Sequence, residues 1–162
     1  MGTIRGRVRK FGDNIDTDAI TPGTLLQLSI EELVKHAFSP IAPEFYKTVQ
    51  PGDIIVAGSN FGCGSSREHA TEVVKQMGIN VIVAESVARI YFRNCVALGI
   101  YPVLSPGVSA LFEEGDAIEI DLDGGELRNP ASGKTARFEP LSGSLKEIVD
   151  SGGIIPLLKK AP

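Results

Sequence analysis

Ser65 and Ser66 stand directly before Arg67 in Gly58-Ser-Asn-Phe-Gly-Cys-Gly-Ser-Ser-Arg-Glu-His-Ala70. A guanidinium can grip a carboxylate with two parallel hydrogen bonds, and neighbouring hydroxyls can donate to the same anion. Gly58, Gly62 and Gly64 let the backbone turn tightly and come close to a ligand. An apolar run, Asp53-Ile-Ile-Val-Ala57, precedes the stretch and reads as a buried strand, and a helical pattern over 65–77 follows it. If Ser65 and Ser66 open that helix, its free N–H groups and dipole add positive potential at the same place. The expected site therefore binds an oxyanion or a carboxylate. Ser65-x-x-Glu68 also has the spacing of a capping box. Capping needs no second serine, no adjacent arginine and no run of glycines, so it is true but insufficient.

The elements that must hold this loop alternate through the middle of the chain. Strands are expected at 53–57, 81–84 and 101–104, with helices at 65–77 and 87–98, and Gly78 and Gly99 stand where helix-ending residues belong. Apolar strands joined by amphipathic helices predict a parallel sheet covered on both faces, an α/β fold. Before this unit, 3–11 alternates as a strand, with Arg5, Arg7, Arg9 and Lys10 read as its wet face. Gly12-Asp-Asn-Ile-Asp-Thr-Asp18 is a polar turn, and 30–38 is a helix with Ser29 and Glu32 as its capping box. Pro40, Pro43 and Pro51 mark a surface connection. After the unit, 117–122 and 126–129 form a hairpin around Asp123-Gly-Gly125, with a third strand at 135–139. A last helix opens at Ser144 to Glu147, with a capping box, and ends at Gly152 and Gly153.

Composition limits the functions available. The 162 residues suit one domain, 43% are hydrophobic, and the net charge is −4, which gives no footprint for nucleic acid. No apolar stretch has the length of a membrane span and no leader pattern opens the chain, so a cytoplasmic location is expected. Cys63 and Cys95 are too few for a disulfide scaffold and lack zinc-ligand spacing with His36 and His69. Two thiols also fall short of an iron–sulfur cluster. Ser132-Gly-Lys-Thr135 ends like a phosphate-binding loop, but a strand pattern follows it where that motif needs a helix. His69 is expected to make a supporting hydrogen bond, His36 to lie on the surface, and Cys63 to pack.

Three separated motifs carry a resemblance that covers nearly the whole chain. They are Phe11-Gly-Asp-Asn-Ile-Asp-Thr-Asp18, Gly62-Cys-Gly-Ser-Ser-Arg-Glu-His69 and Ser86-Val-Ala-Arg-Ile-Tyr-Phe-Arg-Asn-Cys95. In these the chain resembles the small subunits of the isopropylmalate dehydratase group within the aconitase superfamily. The resemblance implies a single three-layer swivelling β/β/α domain, with a mainly parallel core sheet and a C-terminal β-hairpin region. It implies a hydro-lyase active only with a separate large subunit, which carries a [4Fe–4S] cluster through three cysteines; this chain would bind no cofactor or metal itself. The substrate would be a small hydroxy-dicarboxylate, dehydrated and rehydrated at the neighbouring carbon, with iron acting as a Lewis acid.

By the same resemblance Ser65 is the base, working as an alkoxide that its surroundings must stabilise. Ser66, Arg67 and Thr17 bind substrate, with Arg67 either clamping its carboxylate or supporting the alkoxide. Asp18 is catalytic, orienting or accepting a proton through a group of the large subunit; an Asx-turn residue is the rival reading on sequence alone. Thr24, Leu25, Leu26, Gln27 and Leu28 form the substrate-specificity loop, with Leu25 where relatives often carry tyrosine. An apolar loop with no arginine between Arg9 and Arg67 suits a branched alkyl group, hence isopropylmalate in leucine biosynthesis; homoaconitate, dimethylmalate and citraconate stay open. Arg89 and Arg93 lie four apart on a helix face and could meet a carboxylate, a partner or solvent. A non-catalytic carboxylate-binding module and a purely structural domain are the competing classes, and a homo-oligomer of the isolated chain stays open.

Overall fold

The computed structural model describes residues 2–160. Seven strands form one sheet in the order β4-β3-β2-β1-β5-β6-β7. Strands β1 (Thr3–Lys10), β2 (Ile54–Ala57), β3 (Val81–Ala84) and β4 (Tyr101–Leu104) are mutually parallel. Strands β5 (Ala117–Asp121), β6 (Glu126–Arg128) and β7 (Thr135–Arg137) continue it antiparallel from β1. Helices α1 (Thr17–Ile20), α2 (Ile30–Leu33) and α3 (Phe45–Thr48) lie between β1 and β2. Helices α4 (His69–Gln76) and α5 (Arg89–Ala97) make the next two crossovers, and α6 (Gly143–Asp150) and α7 (Ile154–Lys160) close the chain. Among the described residues no helix is long and apolar enough to cross a membrane.

Side chains alternate across a strand, so a strand buried on both faces must be apolar throughout. In β2 and β3, Ile55, Ala57, Ile82 and Ala84 join a core with Val73, Val74, Tyr91 and Cys95 of α4 and α5. Their neighbours Ile54, Val56, Val81 and Val83 join a second core with Ile118, Ile120 and Leu127 of the antiparallel strands. The antiparallel half therefore curls over the parallel half, giving helix, parallel-strand and antiparallel-strand layers, as the resemblance implies. Gly78 (φ +82°) and Gly99 (φ +79°) end α4 and α5 in the left-handed conformation expected of them.

Several local expectations need correction. Helix α4 begins at His69, not Ser65, because left-handed Gly62 (φ +80°) and Gly64 (φ +104°) keep the preceding chain out of the helical region. The helix expected over 30–38 ends at Leu33 and tightens to a 3-10 turn, Val34–His36. Phe38 then takes φ +60° so that its ring can be buried, stacked 4.4 Å from Phe11. Ser29 caps α2 as expected, accepting from the Glu32 amide at 3.2 Å. The helix expected to open at Ser144 is α6, which starts at Gly143, so Ser144 lies inside it and is not its cap; a further helix, α7, follows. Asp18 lies in the first turn of α1, a helix read in sequence as a polar turn and capped by Asp16. Arg9 is not on a wet face: it is buried, pairs with Glu114 at 3.0 Å, and lies 4.4 Å over the Phe45 ring.

Glu85, just past β3, ties that strand to the turn after β4. Its carboxylate accepts from the Gly107 amide at 3.0 Å and from the Ser109 hydroxyl. Hydrogen bonds to the ionised form, from Ser109 first and then Gly107, hold its pKa below the usual carboxylate range. The folded pKa is depressed, so the stabilisation is complete above the unfolded value and is lost as pH falls through the folded one. Glu85→Gln should therefore flatten the fall in urea midpoint between about pH 5 and pH 3. An unchanged acid slope would mean that the carboxylate contributes nothing.

Candidate active site at the carboxyl ends of the parallel strands

Three chain segments meet beyond the carboxyl ends of β1, β2 and β3, the edge where open α/β sheets place their ligands. The segment before α1 runs alongside the segment before α4. The Gly62 amide donates to the Ile15 carbonyl at 2.7 Å, the Thr17 amide to the Cys63 carbonyl at 2.8 Å, and the Ser65 amide to Thr17 Oγ1 at 3.0 Å. On the other side, the Phe61 amide donates to the Ser86 carbonyl at 3.1 Å, and the Ala88 amide to the Phe61 carbonyl at 2.9 Å. Asn94 Nδ2 of α5 reaches the Ser66 carbonyl at 3.4 Å. The three motifs, remote in sequence, are thus one structure.

Ser65 Oγ accepts two hydrogen bonds, from the Arg67 amide at 3.2 Å and from Arg67 Nε at 3.0 Å. This local bond takes the place of the expected capping box and competes with helix formation. Ser65 is half-buried while Ser66 and Arg67 are exposed. The positive potential at Ser65 therefore comes from Arg67 and not from the α4 dipole, which starts four residues later.

The other expected site residues are placed as follows. Thr17 is buried, and its hydroxyl oxygen is spent on positioning the Ser65 amide. Asp18 is exposed at the start of α1, and a Cβ on Gly23 would stand 3.0 Å from its Oδ1, which places its carboxylate beside the residue preceding the expected specificity loop. In that loop Thr24 and Gln27 are exposed, whereas Leu25, Leu26 and Leu28 are half-buried against the first core. His69 Nδ1 is buried with no hydrogen-bond partner among the described residues, so the supporting bond expected of it is not made by that atom. Sequence reasoning missed Asn94, Thr17 as an acceptor for the loop backbone, and Tyr91, whose ring packs on Gly62. The only sequence signal for them was their position inside the motifs.

Residues 39–106 match the family of the aconitase C-terminal domain. The 3-isopropylmalate dehydratase small subunit 1 of Thermotoga maritima is 50% identical over 159 residues, which are 97% of this chain and 95% of that one. The chain belongs to the 3-isopropylmalate dehydratase small-subunit family. The methanogen homoaconitase small subunit of Methanothermobacter thermautotrophicus is 46% identical over 155 residues, covering 95% of this chain and 89% of that protein. The crystal structure of a 3-isopropylmalate dehydratase from Methanocaldococcus jannaschii matches with a TM-score of 0.92 at 43% identity, over 98% of this chain and 94% of that one.

Membership of this small-subunit family raises the question of an iron–sulfur cluster. Cys95 is fully buried, and desolvation pushes its thiol pKa well up, the opposite of what a thiolate ligand needs. Cys63 is half-buried, and no group of three or more His, Cys, Asp or Glu side chains converges among the described residues. These residues do not fit a cluster of their own, and no step is assigned to one within this chain.

Gly62 carries a sharp requirement. It sits at φ +80°, and a Cβ there would lie 2.2 Å from Tyr91 Cγ. Gly62→Ala should destabilise the fold by about 3 kcal/mol or more, through strain and overpacking together. Urea unfolding checks this; a midpoint unchanged from wild type would show that the loop adapts at no cost.

Proposed function

We propose that this chain is the catalytic small subunit of a two-chain hydro-lyase that isomerises isopropylmalate by removing water and adding it back at the neighbouring carbon. The observation that carries this reading is that Oγ of the half-buried Ser65 receives two N–H donors from Arg67. A serine hydroxyl is a weak base until its anion is stabilised, and donors fixed in advance do this without reorganisation during the reaction. Ser65 then removes the proton from the carbon next to a carboxylate. Arg67 Nη1 and Nη2 make no hydrogen bond among the described residues and are free to hold that carboxylate as a fork, with the exposed Ser66 hydroxyl as a further donor. Thr17 holds the Ser65 backbone in place, and Asp18 works with a group of the large subunit. The [4Fe–4S] cluster belongs to that large subunit.

The apolar loop favours isopropylmalate over homoaconitate. Thr24 to Leu28 carries three leucines, half-buried against the first core, and no cation for a third carboxylate. The test is to mix this chain with its cluster-loaded large subunit and compare kcat/KM for the two substrates. Activity should need both chains and should favour isopropylmalate by about 100-fold or more, the scale of a missing charge partner in a built site. Preference for homoaconitate would overturn the substrate. Failure to turn over any 2-hydroxy diacid, together with tight binding of a malate analogue by the isolated chain, would instead mark a binding module.

A further inference from the structure

Arginines are distributed unequally in this molecule. Arg5, Arg7, Arg9, Arg128 and Arg137 each form an ion pair. Arg67, Arg89 and Arg93 form none among the described residues, and all three lie on the loop before α4 or on α5, beside the proposed site. Round the α5 axis, Tyr91 packs on Gly62 and Asn94 reaches Ser66, so helical periodicity puts Ile90 next, with Arg93 and Arg89 beyond it. Ile90 is 49% exposed, and both arginines are exposed.

Helix α5 also opens against the usual electrostatic preference. No side chain caps it and no acidic residue lies in its first turn, where Arg89 stands instead. A cation at that end is disfavoured by the helix dipole. On a chain of net charge −4, this end gathers positive charge without ion-pair partners, among the described residues, around an apolar side chain next to the proposed site. Its charge is left unsatisfied in the isolated chain, as expected of a surface completed by another protein.

We infer that Arg89, Ile90 and Arg93 form the docking surface for an acidic patch of the large subunit, with Ile90 entering an apolar dimple beside it. The inference rests on the proposed function, since it names where the second chain seats. Docking here brings the partner against Ser66 and Arg67 directly, because Asn94 joins α5 to that loop. The arginines act on assembly and not on the reacting atoms.

The experiment titrates the cluster-loaded large subunit with wild type, R89E/R93E and R89K/R93K, reading half-saturation of assembly and of activity. Charge reversal should raise half-saturation about 30-fold or more, while turnover at saturation stays near wild type and the lysine pair restores most of the affinity. Raising salt from about 50 to about 200 mM should weaken wild-type assembly, and less so for the reversed pair. Equal half-saturation for all three chains would overturn the inference while leaving the proposed function standing. A raised KM with assembly unchanged would overturn it too, by assigning the arginines to substrate. Wild type that fails to assemble at all would sink both readings.

Discussion

Ser65→Ala should lower turnover of the reconstituted two-chain enzyme by about three to four orders of magnitude, the span of a general base and its fixed donors. Folding and assembly should survive the change. Ser65 is half-buried in a loop, and among the described residues its side-chain oxygen accepts only from Arg67, whose exposed backbone amide water can reach once the oxygen is gone. The cost in stability should therefore stay within about 0.5 kcal/mol, as for ordinary surface substitutions. The informative result is the combination of lost turnover, unchanged urea midpoint and unchanged half-saturation with the large subunit. Turnover within tenfold of wild type would remove Ser65 from the chemistry.

Arg67→Lys should cost about 100- to 1000-fold in kcat, even though it preserves the charge. The wild-type guanidinium presents Nε to Ser65 at 3.0 Å while keeping its two Nη groups for a ligand. A lysine ammonium is a compact point charge and cannot serve both from one fixed plane. The backbone amide of residue 67 still donates to Ser65, so the variant should retain more activity than Ser65→Ala. A loss confined to KM would instead assign Arg67 to substrate binding alone. Steady-state kinetics on the reconstituted enzyme separates these outcomes.

The architecture was largely legible from the sequence because its signals are local. Ile54–Ala57 and Val81–Ala84 are apolar at every position, which two-sided burial requires, and Gly78 and Gly99 mark helix ends by their conformational freedom. The site was legible in its residue types but not in its geometry. Ser65 looked like a helix cap because Ser-x-x-Glu is a local pattern. What prevents that cap is the Thr17 hydroxyl, 48 positions away, together with two left-handed glycines. Phe38 was missed for a similar reason, since a helical pattern over 30–38 says nothing of the Phe11 and Phe45 rings that draw it out of the helix. Helix α7 lies beyond the last element expected from the sequence; Pro156 falls in its first turn, where the missing N–H costs nothing. Arg9 shows the opposite failure: strand alternation marked it as wet, and only the packed structure reveals Phe45 beneath it and Asp53 and Glu114 beside it.

The account depends on Ser65 Oγ taking a proton from carbon. The direct measurement is deuterium incorporation from D2O into substrate at the carbon beside the carboxylate, with cluster-loaded large subunit present and each small-subunit variant at saturation. Wild type should exchange at a rate matching or exceeding turnover, Arg67→Lys should exchange slowly, and Ser65→Ala should leave that carbon unlabelled over the same interval. Labelling by Ser65→Ala at the wild-type rate would place the base elsewhere and contradict the account.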